Sequence, residues 1–224
     1  MKGALNPQVK ICCISTIEEA RLAIQYGANA IGLVSNMPSG PGIIDDEKIK
    51  SIHKSIPSSV STFLLTSETK ATSIIEQSKR FNTDTIQLVN ELKNDQLEYL
   101  KSQLDNVNLI QVIHVQNENS IKEAIDKSRI VDAILLDSGK PNAKIKTLGG
   151  TGDTHDWNIS KTIREEINKP MWLAGGLNSE NVEKAIHLVQ PFGVDLCSGV
   201  RTDKKLDVDK LKRFFLSVKR ARIE

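Results

Sequence analysis

Two adjacent cysteines in the stretch VKICCIS, residues 9–15, are the first side chains that could do chemistry. A thiolate is an effective general base or nucleophile, and a nearby ammonium group favours the thiolate over the thiol. Lys10 stands two residues before Cys12. Because side chains alternate along a strand, we expect Lys10 and Cys12 on one face and Cys13 on the other. Only one cysteine should then face a site, and the other should pack as a small buried hydrophobic residue.

Glycine-rich stretches late in the chain suggest a second kind of chemistry, the binding of phosphate. They read LAGGLNSENV and LCSGVRTD and contribute Gly175, Gly176, Ser198 and Gly199. Glycine lets backbone N–H groups approach an anion, and a following helix adds the partial positive charge of its N-terminus. Glycines also make plain tight turns, so one such stretch alone would be weak support. A third stretch, LGGTGDTHDW, is too long and glycine-rich for a minimal connection and adds Gly150.

The elements that position these residues alternate between two periodicities along the whole chain. Short apolar, β-rich runs are followed by longer segments whose apolar residues recur every three and four positions. The eight predicted strands are VKICCI, AIGLVS, VSTFLLT, TIQLV, LIQVIHV, VDAILLD, MWLAG and GVDLCS. The eight helical segments are predicted to begin near Ile17, Asp46, Lys70, Asn94, Ser120, Asn158, Ser179 and Asp207.

Strict alternation of this kind predicts parallel strands joined by helical crossovers. Eight units in 224 residues fit a closed (β/α)₈ TIM barrel that forms one domain over residues 1–224. A doubly wound open sheet is the alternative, but the first βα turn, CISTIEE, lacks the glycines of a dinucleotide fingerprint. In a barrel the active site lies where strands end, and the loops after strands 7 and 8 often bind phosphate.

Composition narrows the class of protein further. Thirty basic residues against twenty-eight acidic ones leave a formal charge of +2, and the lysines form no block that would indicate nucleic acid as a partner. The N-terminus has no apolar targeting segment, and the longest apolar runs are far shorter than the roughly 18 residues of a membrane span. Three cysteines, two of them adjacent, suit free thiols. We expect a cytoplasmic enzyme that needs no metal or other cofactor.

Taken in order and spacing, seven stretches make the chain resemble the phosphoribosylanthranilate isomerase family of tryptophan biosynthesis. The resemblance covers nearly the whole length. The stretches are VKIC, GANAIGLV, IQLV, LLDS, GGTGDTHDW, LAGGLNSENVEKAI and PFGVDLCSGV. It implies a TIM barrel and an Amadori rearrangement, in which N-(5-phosphoribosyl)anthranilate becomes the carboxyphenylamino-deoxyribulose phosphate without metal or cofactor.

The resemblance also implies roles for individual residues. The family's catalytic cysteine follows KI, which assigns the general base to Cys12, and the aspartate that closes LLD assigns the general acid to Asp137. Cys13 stands where the family usually has glycine. The acid would protonate the furanose ring oxygen, and the base would then remove the C2′ proton. The residues implied to bind substrate or phosphate are Gly150, Gly175, Gly176, Asp195, Ser198 and Gly199.

The chain departs from the family where the aromatic acid should bind. The family normally has an arginine after strand 2, but NMPSGPGIIDDE contains no basic residue between Asn36 and Glu47. The family motif QLHG reads QLVN here, with Val89 in place of histidine. Arg201 and His114 are the candidates to hold the anthranilate carboxylate instead. Without a paired guanidinium we expect weaker affinity for that carboxylate.

Three hypotheses about function remain open at this stage. The chain is a divergent phosphoribosylanthranilate isomerase, a paralogue acting on a different phosphosugar or amine, or a barrel without catalysis that binds a phosphorylated ligand. The presence of both Cys12 and Asp137 favours an enzyme. The partner expected in each case is a small phosphosugar, and the sequence leaves open whether the chain forms a homodimer.

Overall fold

The strands close into the predicted barrel in a computed structural model that describes residues 6–139 and 154–221. Eight parallel strands follow one another around the barrel in chain order, and β1 pairs with β8 to close it. The prediction of a (β/α)₈ TIM barrel is therefore confirmed. The strands are β1 (Gln8–Ile11), β2 (Ala30–Val34), β3 (Ser61–Thr66), β4 (Thr85–Leu88), β5 (Asn108–His114), β6 (Ala133–Asp137), β7 (Met171–Leu173) and β8 (Gly193–Leu196).

A helix follows each strand, and each begins within three residues of its predicted start. The side chains of Thr16, Asp45 and Asp156 accept hydrogen bonds from the first-turn N–H groups, as N-caps do. The helices are α1 (Ile17–Tyr26), α2 (Asp46–Ser55), α3 (Ala71–Phe81), α4 (Asn94–Gln103), α5 (Asn119–Ser128), α6 (Trp157–Glu166), α7 (Val182–Val189) and α8 (Val208–Ala221).

The strands separate two apolar layers, as the alternation of their side chains requires. Along β2, Ile31 and Leu33 join the large core between strands and helices, whereas Ala30 and Val34 join a smaller core inside the barrel. Gly32 lies between the two inward residues. The inner core is closed by aromatic rings at the N-terminal ends of the strands and is open at their C-terminal ends.

Short elements surround the open end of the barrel. A single 3₁₀ turn, Ser198–Val200, follows β8 and leads into a small antiparallel hairpin of β9 (Arg201–Thr202) and β10 (Lys205–Leu206). The loop after β2 folds back on its own strand through a bridge between Val34 and Ile43. Among residues 6–139 and 154–221, no helix has the length and apolar character that crossing a membrane requires.

Candidate active site

The two cysteines lie beyond β1, because that strand ends at Ile11 and not at Ile14 as predicted. Cys13 adopts a left-handed backbone conformation with φ of 61°, so the alternation of a strand does not extend to it. Both cysteines belong to the inner core of the barrel, and each is only 6% exposed. The prediction that Cys13 packs against the helices on the opposite face is therefore wrong. The positive φ explains why glycine would suit this position.

Cys12 and Asp137 border the same pocket at the open end of the barrel. Cys12 comes from the end of β1 and Asp137 from the end of β6, so the two side chains approach the pocket from different sides of the barrel. Gly175, Gly176 and Ser198, which were predicted to bind phosphate, border it as well. Fold closure thus brings together a thiol, a carboxyl group and two glycine-containing loops that are far apart in the chain.

Asp137 is held in a protein environment that favours its neutral form. Burial of the carboxyl group raises its pKa above the usual range, and Asp195 adds to the effect, although His114, Lys10 and a hydrogen bond from the N–H of Ser138 oppose it. That N–H donates to Oδ1 of Asp137 at 2.8 Å. A carboxyl group with a raised pKa retains its proton at higher pH, which is the property that a general acid needs.

Beneath Cys12, Lys10 forms a buried ion pair with Asp195. The distance from Nζ to Oδ2 is 2.8 Å, and the exposed fractions of the two side chains are 0% and 7%. Burial disfavours the charged amine, but the negative groups of Asp195 and Cys12 outweigh burial, so the pKa of Lys10 is raised. The ammonium group therefore stays charged inside the barrel, two residues before Cys12.

The loops after β7 and β8 are in direct contact. Gly175 and Gly176 have φ of 83° and 62°, values that side chains other than glycine rarely adopt. A Cβ at Gly199 would collide with the carbonyl oxygen of Leu177. In residues 6–139 and 154–221, no backbone hydrogen bond outside the helices and strands uses the N–H groups of Gly175, Gly176, Ser198 or Gly199. These donors are thus available to an anion. Gly150, the remaining glycine candidate, lies outside the described residues.

Two buried oxygen atoms at the pocket have no protein partner within the described ranges. They are Oε1 of Gln87, on β4, and Oδ1 of Asp195, on β8. Gln87 is 4% exposed and Asp195 is 5% exposed, and both border the pocket of Cys12 and Asp137. Leaving a buried acceptor unpaired costs about 1–3 kcal/mol. A ligand with hydroxyl donors would satisfy both atoms.

Arg201 is engaged inside the protein and does not point freely into the pocket. Its Nη1 donates to Oε1 of Glu19 at 2.7 Å and to the carbonyl oxygen of Lys204 at 2.9 Å. Its Nη2 donates to the carbonyl oxygen of Cys13 at 2.7 Å and approaches Oε2 of Glu19 at 3.3 Å. A carboxylate could reach these donors only by displacing Glu19. Arg201 therefore ties the end of β1 to α1 and the hairpin after β8.

His114 lies beside Asp137 on the neighbouring strand, but its ring is turned towards β4. Its Nε2 is 3.0 Å from the carbonyl oxygen of Val89, which can only accept, so this nitrogen donates. The ring borders an adjacent polar pocket that also contains Glu91 and Glu123, and Glu123 has a raised pKa through burial and the charge of Glu91. The carboxylate of a substrate would be repelled by these two side chains, which argues against His114 as its ligand.

Sequence reasoning missed the two glycines that make room for the cysteines. A Cβ at Gly32 would stand 2.8 Å from Sγ of Cys12, and one at Gly42 would stand 2.9 Å from the Cα of Cys13. A glycine in the middle of a strand is itself a signal of close approach, so Gly32 could have been found. Gly42 carried no such signal, because its partner is 29 positions away in the chain.

No group of three or more His, Cys, Asp or Glu side chains in the described parts of the chain has the arrangement of a metal site. The pocket chemistry available from these residues is therefore that of thiols, carboxyl groups, an amide and backbone N–H groups.

Comparison with known proteins decides the family. A family model described as N-(5'-phosphoribosyl)anthranilate isomerase matches residues 9–217. The chain belongs to this family. The isomerase of Methanocella arvoryzae is 32% identical over 93% of this chain and 96% of its own. The crystal structure of the Thermotoga maritima isomerase matches with a TM-score of 0.83 and 29% identity, covering 96% of this chain and 99% of the other.

Another isomerase structure of this family holds a ligand related to the reaction. It is a complex with reduced 1-(o-carboxyphenylamino)-1-deoxyribulose 5-phosphate and matches with a TM-score of 0.80 and 27% identity, over 96% of this chain and 99% of the other. The predicted family and the predicted isomerase function are thus confirmed. Within this chain, Gly42 packs closely on Cys13, and Arg201 donates to the carbonyl oxygen of Cys13.

Gly32→Ala is expected to lower kcat about tenfold to a hundredfold, because the new methyl group forces Sγ of Cys12 out of its position. Overpacking should also cost about 1–3 kcal/mol of stability. Gly193→Ala is the matched control, since its Cβ would stand 2.5 Å from the ring of Trp172, away from the cysteines. Steady-state kinetics normalised to folded protein should show a loss only for Gly32→Ala. Equal losses in both variants would contradict the role of Gly32.

Proposed function

We propose that this chain isomerises N-(5'-phosphoribosyl)anthranilate, with Asp137 as general acid and Cys12 as general base. The observation that carries the proposal is that both groups border one pocket together with the glycine loops after β7 and β8. A substrate whose phosphate binds at those loops would have its sugar between the carboxyl group and the thiol. This arrangement supports proton transfer at two different sides of the sugar.

The reaction then proceeds in two proton-transfer steps. Asp137 donates its proton to the furanose ring oxygen, the bond from that oxygen to C1′ breaks, and the nitrogen lone pair forms the Schiff base. The thiolate of Cys12 next removes the proton on C2′, and the electron pair of that C–H bond forms the enolamine. Tautomerisation of the enolamine gives the ketose. The raised pKa of Asp137 keeps its proton available for the first step.

Sugar hydroxyl groups are the donors that the pocket lacks. The unpaired oxygens of Gln87 and Asp195 accept hydrogen bonds and cannot donate in these positions. We assign them to the ribose hydroxyls, and we assign the phosphate to the N–H groups of Gly175, Gly176, Ser198 and Gly199, with Gly150 as a further candidate. This division matches acceptors with the hydroxylated part of the substrate and donors with its anionic part.

The aromatic carboxylate of the substrate would lie beside a loop without basic side chains. The loop after β2 borders the pocket through Met37, Gly40 and Pro41, none of which carries charge. Arg201, the earlier candidate, is paired with Glu19. A carboxylate without a charged partner costs on the order of 1–3 kcal/mol, so we expect KM to be roughly fivefold to 150-fold above that of relatives with arginine in this loop.

The test follows the fluorescence of freshly made phosphoribosylanthranilate with purified protein, alongside growth without tryptophan of a bacterium that lacks this isomerase. We expect decay that saturates only at high substrate concentration and that is slowed about 10²-fold or more in Cys12→Ser and Asp137→Asn. No decay at any concentration, with inorganic phosphate still binding as judged by a rise in Tm, would refute the anthranilate substrate. The paralogue acting on another phosphosugar would then take its place.

Pro41→Arg sharpens this test, because Pro41 is exposed and borders the pocket, whereas an arginine at Gly42 would collide with Cys13. A new guanidinium beside the carboxylate should lower KM about tenfold or more without raising kcat. Pro38→Arg is the control, since Pro38 is exposed in the same loop but is not among the residues that border the pocket. An equal change of KM in both variants would indicate a general charge effect only.

We also propose a cytoplasmic location, supported by three free cysteines, which suit a reducing compartment. A homodimer remains a proposal for this chain. One Thermotoga maritima isomerase of the family is described as dimeric, and it matches with a TM-score of 0.78 and 26% identity. Sedimentation of the purified chain would decide between monomer and dimer.

A further inference from the structure

The three thiols of the chain meet at one edge of the open end of the barrel. β1 and β8 are neighbours whose register pairs Ile11 with Leu196, and the N–H of Cys12 donates to the carbonyl oxygen of Leu196 at 2.9 Å. Cys12 and Cys197 are therefore the first residues after two adjacent strands, and Cys13 comes one residue after Cys12. All three are free thiols.

The two cysteines after β1 lean in different directions. Cys12 packs on Gly32 of β2, where its Sγ fills the space that a side chain would take. The left-handed backbone at Cys13 instead turns its sulfur to a position within hydrogen-bonding reach of both Cys12 and Cys197. β2 and β8 flank β1 on opposite sides. Cys13 is thus the thiol that can join the end of β1 to the end of β8.

Cys197 is the most accessible of the three thiols, since it is partly exposed while Cys12 and Cys13 are buried. It borders both the pocket of Cys12 and Asp137 and a neighbouring cavity that contains Arg201. A hydrogen bond from Cys13 lowers the pKa of Cys197, and the charge of Arg201 contributes, against the effect of burial. Hydrogen bonds to Cys12 and Cys197, together with burial, raise the pKa of Cys13.

These differences assign separate chemical roles. An accessible thiol near a cation reacts with oxidants as the thiolate, and an adjacent thiol can then resolve the oxidised sulfur by giving up its proton as its sulfur attacks. Glu19 fixes Arg201 at this place through a 2.7 Å ion pair, so the cation is part of the fold. Neither Cys13 nor Cys197 has a role in the proposed isomerisation, and their arrangement is independent of that proposal.

We propose that Cys197 is a site of oxidation by hydroperoxides and that Cys13 resolves it into a Cys13–Cys197 disulfide. The Cys197 thiolate attacks the distal oxygen of the hydroperoxide, the O–O bond breaks, and an alkoxide or hydroxide leaves and takes up a proton. Cys197 is then a sulfenic acid. The Cys13 sulfur attacks it, the S–O bond breaks, and the leaving hydroxide takes the Cys13 proton as water. The hydroperoxide is reduced, and the two thiols are oxidised.

The spacing of the strands is suitable for this bond. Ile11 and Leu196 are paired across strands that lie about 4.8 Å apart, and the sulfurs of Cys13 and Cys197, which follow them, are within hydrogen-bonding reach. Disulfides span Cα separations of about 4.4–6.8 Å. The bond would tie the end of β1 to the residue before Ser198 and leave Cys12 reduced. Since Ser198 and Cys12 both border the pocket, isomerase activity should fall on oxidation and return on reduction.

The test treats the full chain with about one equivalent of hydrogen peroxide and maps the cysteines by non-reducing peptide mass spectrometry. We expect one Cys13–Cys197 linked peptide pair, lost on reduction with dithiothreitol. Cys12→Ser should form the same link. Cys13→Ser should instead accumulate sulfenic and then sulfinic acid at Cys197, and Cys197→Ser should form no link. Circular dichroism of each variant confirms folding, and the mapping requires no enzymatic activity.

Three results would overturn the proposal. The first is a major product that contains Cys12 in the disulfide, and the second is faster oxidation of Cys12 than of Cys197 in a timed labelling of remaining thiols. The third is persistence of sulfenic acid at Cys197 in the unmodified sequence, which would mean that Cys13 cannot resolve it.

Discussion

Asp137→Asn is expected to lower kcat by about 10²- to 10⁴-fold, because the amide cannot deliver the proton that opens the sugar ring. Asp132→Asn is the matched control: this carboxyl group lies just before the same strand, at the opposite end, and pairs with Lys101 at 2.7 Å. It should leave kcat unchanged. A comparable loss in Asp132→Asn, or a loss below about tenfold in Asp137→Asn, would contradict the assignment of the general acid.

The same carboxyl group predicts that both activity and stability of the unmodified enzyme fall as pH rises. Activity of the unmodified enzyme should fall as pH rises through the raised pKa of Asp137, since the acid loses its proton there. A raised folded-state pKa also means that the stabilising contribution is present at low pH and is lost as pH rises through that pKa. Asparagine does not ionise. The unfolding free energy of Asp137→Asn, relative to that of the unmodified chain, should therefore increase as pH rises from acid to alkaline values. Urea unfolding at several pH values measures this difference.

Cys12→Ser should lower kcat by about 10²-fold or more, because a hydroxyl group is a much weaker base than a thiolate at neutral pH. Cys13→Ser should retain most of the turnover, since Cys13 does not contribute to the two proton transfers. The comparison is informative because both thiols lie in the inner core with equal exposure of 6%. Equal losses in two folded variants would mean that turnover depends on both thiols.

The largest expected effect on stability comes from breaking the buried ion pair inside the barrel. Lys10→Met leaves the carboxylate of Asp195 without a charged partner, and loss of one member of a buried pair costs about 3–5 kcal/mol. The unfolding free energy in urea should fall by that amount. In the double variant Lys10→Met and Asp195→Leu neither charge of this pair remains, so stability should return to within about 1 kcal/mol of the unmodified chain.

The double variant separates an electrostatic cost from a packing cost. If it is as unstable as Lys10→Met alone, the loss comes from packing against Phe63, whose ring centroid lies 5.1 Å from Nζ of Lys10. If Lys10→Met alone changes stability by less than about 1 kcal/mol, water reaches Asp195 through the pocket and the pair is not effectively buried.

Sequence alone was sufficient for the barrel and for most of its site because the relevant signals are local. Apolar residues recur every two positions in strands and every three to four positions in helices, which distinguishes the two. Side chains such as Thr16 and Asp45 cap helices from a few residues away. Strict alternation then implies parallel strands, and parallel strands align their C-terminal ends. The proximity of Cys12, Asp137 and the glycine loops follows from that alignment. The family resemblance indicated which of these residues to assign to the site.

Only the tertiary structure decided which residues Cys13, Arg201 and Lys10 contact. β1 ends three residues earlier than its apolar run indicated, because the loop after β2 places Gly42 over Cys13 and the backbone turns left-handed there. Glu19 forms an ion pair with Arg201, which is 182 positions away in the chain. Asp195 forms an ion pair with Lys10, which is 185 positions away. Contacts at such separations depend on how the barrel closes, and neither residue type nor local spacing determines which partner lies within reach.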